Sequence, residues 1–593
     1  MKSMLTMKYM NMQRLKLMAL CLAALHVALA AQAQGTKKLV NWREARITNV
    51  GAYMVDMEVK VMQDELTKQL DTVFVDHSRV VWEKDGVDIV NIENNDFYRE
   101  GIPLDGDLEP THDEEVDSLL RSVRSNLRKV TAKDQYGCLQ KYVFNNFYYM
   151  VFQFEYPSVD ADGKPIMLSA MAACPTRKGT SRVNNVILGT HITITANYQR
   201  PSARDNNWDT DDWGMLFSLA ANNKMSYSSW FYLVQYALDI FTGSYDHTIT
   251  LLKNAISASK NTNCNNCLVI MPDYEGYGLT SGRAHPYLYQ ELTARQSVDA
   301  LLYGKALYES APELDDVRHP IRSNYRTMSC GYSQGGSVAM ACHRFIEQNH
   351  LSKDLHFVGS ICGDGPYDPM ATLMYYMKND LANKKMSMVV VLPLIIKGML
   401  DTNPYMKSHA ATDYFRPEFL NTGIMDWIAS KQFNTDEIKN KFARLGGIFD
   451  SDGKALMRNI MNEACYNYFK GVYQANSTTF TNAAGIPLPA HRGVLEDLHF
   501  ALASNDMTTG WNPKGTIQLF HSKDDTVVPY VNAESAFNRL RSGSGAVRFE
   551  FITGKDHIDA GVAFFSQNTS FAVVVLNGLR LCEYVNYMGD KSY

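Results

Sequence analysis

The chain has 593 residues, 46% of them hydrophobic and 20% charged, and a formal net charge of −5. These are globular proportions. They exclude a disordered, collagen-like or coiled-coil chain and supply apolar material for at least one large core. The weakly acidic balance offers no basic face, so no nucleic-acid partner is expected.

The first 33 residues stand apart. Lys2, Lys8, Arg14 and Lys16 precede an apolar run from Leu17 to Ala30, and Ala31-Gln32-Ala33 fits a small-residue cleavage site. This pattern predicts a secretory signal peptide over residues 1–33 and a secreted or periplasmic protein, with an uncleaved anchor as the alternative. Loss of the four basic side chains would take the formal charge from −5 to −9. No integral membrane domain is expected. The most apolar later segment, Met386 to Leu400, is too short to span a bilayer and is interrupted by Pro393.

Residues 34–135 read as an N-terminal extension packed on the core, with no assigned chemistry. Asn49 to Met62 predicts one or two strands. Asp105 to Asp117 reads as a solvated connection. Glu114 to Lys129 predicts an amphipathic helix with Leu119, Leu120, Val123 and Leu127 on one face.

From Lys141 the pattern sharpens. Tyr148 to Tyr156 and Ile166 to Cys174 predict two strands joined by the turn Asp160-Ala161-Asp162-Gly163. Short apolar runs follow at Asn185–Gly189, Leu268–Pro272, Thr327–Cys330, Phe357–Cys362, Thr516–His521 and Val547–Ile552. Helical patterns lie between and after them, at Tyr289–Tyr308, Gln334–Gln348 and Val562–Tyr587. Strands alternating with helices imply a mostly parallel sheet flanked by helices. The rhythm breaks between Cys362 and Thr516. That stretch is poor in strand signals and reads as a helical insertion capping the strand ends. The expected division is an α/β core over 136–363 and 496–593 with a helical cap over 364–495.

Nine of the ten cysteines follow the leader, an odd number, so one thiol stays unpaired unless a partner chain supplies another. Cys264 and Cys267 are the close pair and the disulfide candidate. Cys330, Cys342 and Cys362 read as buried thiols. Further cysteine pairs or nearby histidines of zinc-site spacing are missing, and no metal or cofactor is expected.

Chemistry concentrates in one motif. Gly331-Tyr332-Ser333-Gln334-Gly335 is G-x-S-x-G between a predicted strand and a predicted helix. That context suits a serine on a strained turn, with glycines that let strand and helix approach closely. A glycine-rich packing loop could carry the same letters. A serine hydroxyl is a weak nucleophile and needs a base oriented by a carboxylate. Functional groups of open α/β sheets sit beyond the carboxyl ends of strands. Past two later strands lie Asp524-Asp525 and Lys555-Asp556-His557, and His557 is the single histidine after Asp525. Serine, acid and histidine thus follow in the order used by hydrolases built on such sheets.

With these segments in view, the chain from about residue 145 onward resembles the α/β-hydrolase superfamily, and within it secretory lipases and esterases with a helical lid. The resemblance is carried by Gly331 to Gly336, by Pro272-Asp273-Tyr274-Glu275-Gly276-Tyr277-Gly278 with His285-Pro286-Tyr287, and by Gly363-Asp364-Gly365-Pro366-Tyr367-Asp368. Asp525-Thr526-Val527-Val528-Pro529 and Asp556-His557 complete it. It implies Ser333 as nucleophile, His557 as base and Asp525, two residues before Val-Val-Pro, as the acid in preference to Asp524. It also implies an oxyanion hole from the backbone N–H groups of Gln334 and Thr193. His191 takes the place of the family's histidine there, while Ile192 stands where a glycine is usual. His191, Tyr274, Glu275, Tyr332 and Asp364 are the substrate-pocket candidates.

The expected function is a secreted serine esterase or lipase that cleaves a small-molecule or polysaccharide-linked ester through an acyl-enzyme, active on short acyl chains. Met386–Leu400 would supply a lid or acyl pocket, or else a buried cap helix pair. A serine exopeptidase of the same fold, with Glu275 and Asp364 holding a substrate ammonium, is the second reading. A non-catalytic secreted binding protein is the third. The sequence is silent on oligomeric state.

Overall fold

The computed structural model describes residues 40–63, the strand segments 70–76, 79–82, 88–91, 94–99 and 128–130, and then 138–175, 182–203, 267–315, 317–476, 489–561 and 563–564; side chains are described for 40–51 and from 150 onward. The expected signal peptide, the acidic connection, Cys264 and most of the expected C-terminal helix lie outside these residues. So does the expected helix over Glu114–Lys129, except that its last two residues fall in a short strand, Arg128–Val130.

One fourteen-stranded sheet organises the molecule. Its C-terminal part contains β7 (Cys138–Val159), β8 (Pro165–Pro175), β9 (Asn185–Thr190), β10 (Cys267–Pro272), β11 (Thr327–Tyr332), β12 (Phe357–Gly363), β13 (Thr516–Ser522) and β14 (Val547–Ile552), in the spatial order β14-β13-β12-β11-β9-β10-β8-β7. β10, β9, β11, β12, β13 and β14 are mutually parallel, and β8 and β7 close that side antiparallel. The central parallel strands are buried on both faces: every residue of β9, β10 and β11 is buried. β11 is more polar than such a strand usually is. Ser329 is accommodated because its hydroxyl donates to the Ala339 carbonyl at 2.8 Å.

The chain runs from β9 to β10 on one side, then crosses through helix α1 (Gln290–Ser310) to β11 on the other side of β9. That reversal opens a crevice at the carboxyl ends of β9 and β11, the place where open α/β sheets bind ligands. Helix α2 (Gln334–Gln348) returns from β11 to β12. The architecture is that of an α/β-hydrolase.

The N-terminal strand β1 (Arg46–Gln63) pairs antiparallel with β7 from Arg46↔Glu155 to Met62↔Cys138 and carries the sheet on into β2 (Leu70–Asp76) and β5 (Asn94–Arg99), while β3 (Arg79–Trp82) pairs with β1, β4 (Asp88–Asn91) with β3, and β6 (Arg128–Val130) with β7. Arg46 pairs with Glu155 at 2.5 Å, and Tyr303 of α1 donates to Glu44 at 2.7 Å.

Between β12 and β13 stand the helices α3 (Pro369–Leu381), α4 (Val391–Thr402), α5 (Pro417–Leu420), α6 (Ile424–Ser430), α7 (Thr435–Leu445), α8 (Met457–Ile460), α9 (Glu463–Ala475) and α10 (Val494–Ser504). Pro393 falls in the first turn of α4, where no intrahelical N–H is needed, so the apolar run makes one helix rather than breaking. This region has its own apolar cluster, including Met374, Phe419, Phe442 and Phe469, apart from the cluster around the sheet. An internal polar knot braces it. Buried Asp380 accepts from Arg458 Nε at 2.9 Å and Tyr466 Oη at 2.6 Å. Among the described residues no helix is long and apolar enough to cross a membrane.

Candidate active site

Ser333 follows β11 and caps α2 with φ 55° and ψ −124°, a conformation that costs a non-glycine residue about 1–3 kcal/mol. Its N–H is held by the Gly363 carbonyl at 2.9 Å. The two flanking glycines are required by contact. A Cβ at Gly331 would strike the Thr190 hydroxyl and the Gly335 carbonyl, and one at Gly335 would strike the Thr190 carbonyl. Strand, turn and helix therefore lock together and thrust the serine side chain outward.

His557 follows β14, and its Nε2 lies 2.9 Å from Ser333 Oγ. Its Nδ1 donates to Asp525 Oδ2 at 2.5 Å. The other oxygen of Asp525 accepts the N–H groups of Val527 and Val528, both at 2.8 Å. Asp524 faces away and accepts from Gly554 N–H. All three linked side chains are nearly out of solvent: Ser333 is 8% exposed, His557 6% and Asp525 2%. Burial opposes ionisation of Asp525, but the His557 imidazole, His521 and the Val528 amide outweigh it, and the carboxyl sits below its ordinary pKa. Burial likewise opposes charge on His557, yet Asp525 prevails and raises its pKa above the ordinary 6.5.

Gln334 is the first residue of α2, so its backbone N–H has no intrahelical carbonyl to reach. Its side-chain amide donates to His285 Nε2 at 2.5 Å, and His285 Nδ1 donates to the Glu275 carbonyl at 2.9 Å. Thr193, in the loop after β9, hydrogen-bonds the Tyr287 hydroxyl at 2.7 Å, and both residues line a cavity with Ser333. His191 is fully buried beneath that loop, stacked on Tyr274 at 3.9 Å, and burial lowers its pKa to about 4. The cap grips the same loop. Asn197 N–H donates to the Lys431 carbonyl at 2.8 Å, the Thr195 hydroxyl to the Phe433 carbonyl at 2.7 Å, and the Asn434 amide to the Tyr198 hydroxyl at 3.0 Å.

The narrow cavity that opens at Ser333 has a volume of about 60 Å³. Its core side is Thr193, Tyr287, Val527 and Val528; its cap side is almost wholly apolar, with Leu373, Leu392, Ile395 and Ile396 among the lining residues. None of the five expected pocket residues lines it. His191 and Tyr274 form the stack under the loop, and Glu275 is bound to Arg283 at 2.7 Å and to Gln296 at 2.7 Å. Tyr332 points to the His557 carbonyl at 2.6 Å, and Asp364 is sealed behind it. These five residues pack behind the cavity rather than along its wall. The lining residues Tyr287 and Tyr376 went unassigned, although Tyr287 stands in the His285-Pro286-Tyr287 segment. Cys330, Cys342 and Cys362 are buried.

No protein-family model matches this chain, and neither does any curated protein. Among solved structures it is similar to the rice cell wall degrading esterase LipA from Xanthomonas oryzae, at 19% identity over 73% of this chain and 91% of that one, with a TM-score of 0.49. It is also similar to Candida antarctica lipase A, at 12% identity over 73% of this chain and 78% of that one, with a TM-score of 0.44.

Proposed function

We propose that the protein is an exported serine hydrolase that cleaves carboxylic esters with an apolar acyl part through an acyl-enzyme intermediate. The observation that carries this reading is the continuous relay Ser333 Oγ–His557–Asp525 opening onto an apolar cavity. Ser333 attacks the ester carbonyl while His557 Nε2 takes the hydroxyl proton, and Asp525 holds the imidazole tautomer and stabilises its charged form. The tetrahedral oxyanion is received by the N–H groups of Gln334 and Thr193, each contributing roughly 3 kcal/mol. His557 then protonates the leaving alcohol, and water, activated by the same histidine, releases the acid.

The cap wall supports an aliphatic acyl group, since specific pockets match the polarity of what they hold. The peptidase reading is weakened because Glu275 and Asp364 are turned away from the cavity and leave a substrate ammonium without a counter-charge there. The basic, apolar and small-residue sequence of residues 1–33 supports export to a periplasm or the exterior.

The test is a p-nitrophenyl ester series of rising acyl length, run beside a fluorophosphonate probe and an amide panel. Hydrolysis and labelling that both vanish in Ser333→Ala support the reading. Equal turnover by the two proteins sinks it, and an unlabelled wild type points to a binding protein.

A further inference from the structure

The reacting histidine is faced by more than one carboxyl. Asp364 follows β12 directly, held at φ 36° with its N–H on the Phe520 carbonyl at 2.9 Å. A left-handed backbone at a side-chained residue is retained at a cost. Its carboxyl is fully buried, and Oδ2 takes the Ser522 N–H at 3.3 Å and stands 3.0 Å from the Tyr332 hydroxyl. That hydroxyl donates to the His557 carbonyl, so one phenol joins Asp364 to the main chain of the base. Oδ1 of Asp364 meets no donor. Facing it are Asp525 and His521, and the ligand-capable atoms of the three lie within 4.8 Å of one another. His521 commits Nε2 to the Val528 carbonyl at 2.8 Å and leaves Nδ1 bare. The charged and titratable groups around Asp364 are thus Tyr332 of β11, Tyr367 beyond β12, His521 and Asp525 at the end of β13, and His557 after β14.

Two buried carboxyls this close do not both ionise freely, and Asp525 is already fixed as an anion by two amides and His557. The bare atoms around Asp364 leave room for a proton and require nothing larger.

We propose that Asp364 is a positioning residue of this site, a second and titrating carboxyl that adds to Asp525 in favouring positive charge on His557 without touching the substrate. This rests on the serine-hydrolase reading above. Burial, with repulsion from Asp525, lifts its pKa to about 6 against the pull of His521 and His557. Below that pH the group is neutral; above it a second negative charge stands behind the imidazole. That charge raises the proton affinity of His557, in the direction that favours the imidazolium formed as Ser333 attacks.

The experiment measures the rate of Ser333 phosphonylation by a fluorophosphonate from about pH 4.5 to 9, which needs no knowledge of the ester. Wild type is expected to show an acid limb broader than a single ionisation. Asp364→Asn, neutral and isosteric, should narrow that limb and move its midpoint down by roughly 0.5–1 pH unit. Asp364→Ser, also neutral, should shift it the same way. A uniformly slower rate with an unmoved midpoint would make Asp364 merely structural and overturn the proposal. So would a single-ionisation limb in wild type, a reading that survives even if both variants fail to fold. A stoichiometric divalent metal in the purified protein, lost in Asp364→Asn, would also overturn it. Absence of labelling in wild type would bring down the serine-hydrolase reading itself, whereas normal labelling with unshifted limbs removes the role of Asp364 alone.

Discussion

The end of the sheet that carries Ser333 and the helical cap above it are held together by different means. At the sheet, backbone is pressed on backbone. Gly331, Gly335 and Gly336 leave no space for a methyl group against the backbone of Gly335, Thr190 and Gly363, and the serine is forced into a strained conformation. In the cap, helices meet through Met, Leu, Ile and Phe side chains, which tolerate exchange for others of similar volume. On the proposed reading, the chemistry sits on the part of the molecule with the fewest allowed sequences, and the pocket wall on the part with the most. A hydrolase of this design would change substrates by repacking the cap while its reacting groups stay fixed.

The comparison breaks most sharply at the nucleophile. Ser333→Ala should lower kcat by about 10⁴-fold or more on every ester while leaving the melting temperature in place, as stopped assays and calorimetry would show. Asp525→Asn should cost on the order of 10⁴-fold through loss of the imidazole tautomer, and Asp524→Asn next to it less than about twofold. Equal losses would mean that the relay is misassigned.

In the cap, Ile396→Trp should fill the cavity. We expect kcat/KM on long-chain p-nitrophenyl esters to fall about 10- to 100-fold and that on the acetate ester less than about threefold. A uniform fall across chain lengths would place the acyl group elsewhere. The pH profile of the wild type sharpens the other side. His557 must be neutral to accept the serine proton, and its pKa is raised by Asp525, so kcat/KM should decline as pH falls through a midpoint above 6.5. The smallest effect on turnover is expected at Asp380→Ala. It strips Arg458 and Tyr466 of a buried partner and should cost about 2 kcal/mol of stability, seen as a fall of several degrees in thermal melting, with kcat per folded molecule unchanged.

What the sequence reveals follows the same division. Phe357–Cys362 reads as a strand and ends within one residue of the observed Phe357–Gly363, because a strand buried on both faces is written mostly in apolar and small residues. Gln334–Gln348 is found over the same residues as predicted. Ser333, Asp525 and His557 can be picked out because each must follow a strand, and strand ends are visible in the letters. Side-chain direction is not. His191, Tyr274, Glu275, Tyr332 and Asp364 lie beside motif positions, yet the turns that carry them aim them into the packing. Membership of a motif segment says nothing about which face of the loop a residue occupies. The extension is legible as one or two strands at Asn49–Met62, observed as the single strand Arg46–Gln63, but its pairing with β7, a hundred residues further along, leaves no local trace. Cap residues such as Leu373 and Ile396 are indistinguishable in sequence from ordinary helix-packing side chains until the neighbours across the cavity are known.

The three hydrogen bonds between residues 195–198 and the segment 431–434 give the molecule a mechanical property. They stitch the strip that would cradle the oxyanion to the roof over the acyl chamber. Any motion that raises the roof along this seam must either tear the stitches or carry the cradle with it. Entry of a bulky ester and readiness for attack would then be alternating conditions of one moving part, and the enzyme would regain its full set of donors only as the roof settles over its guest.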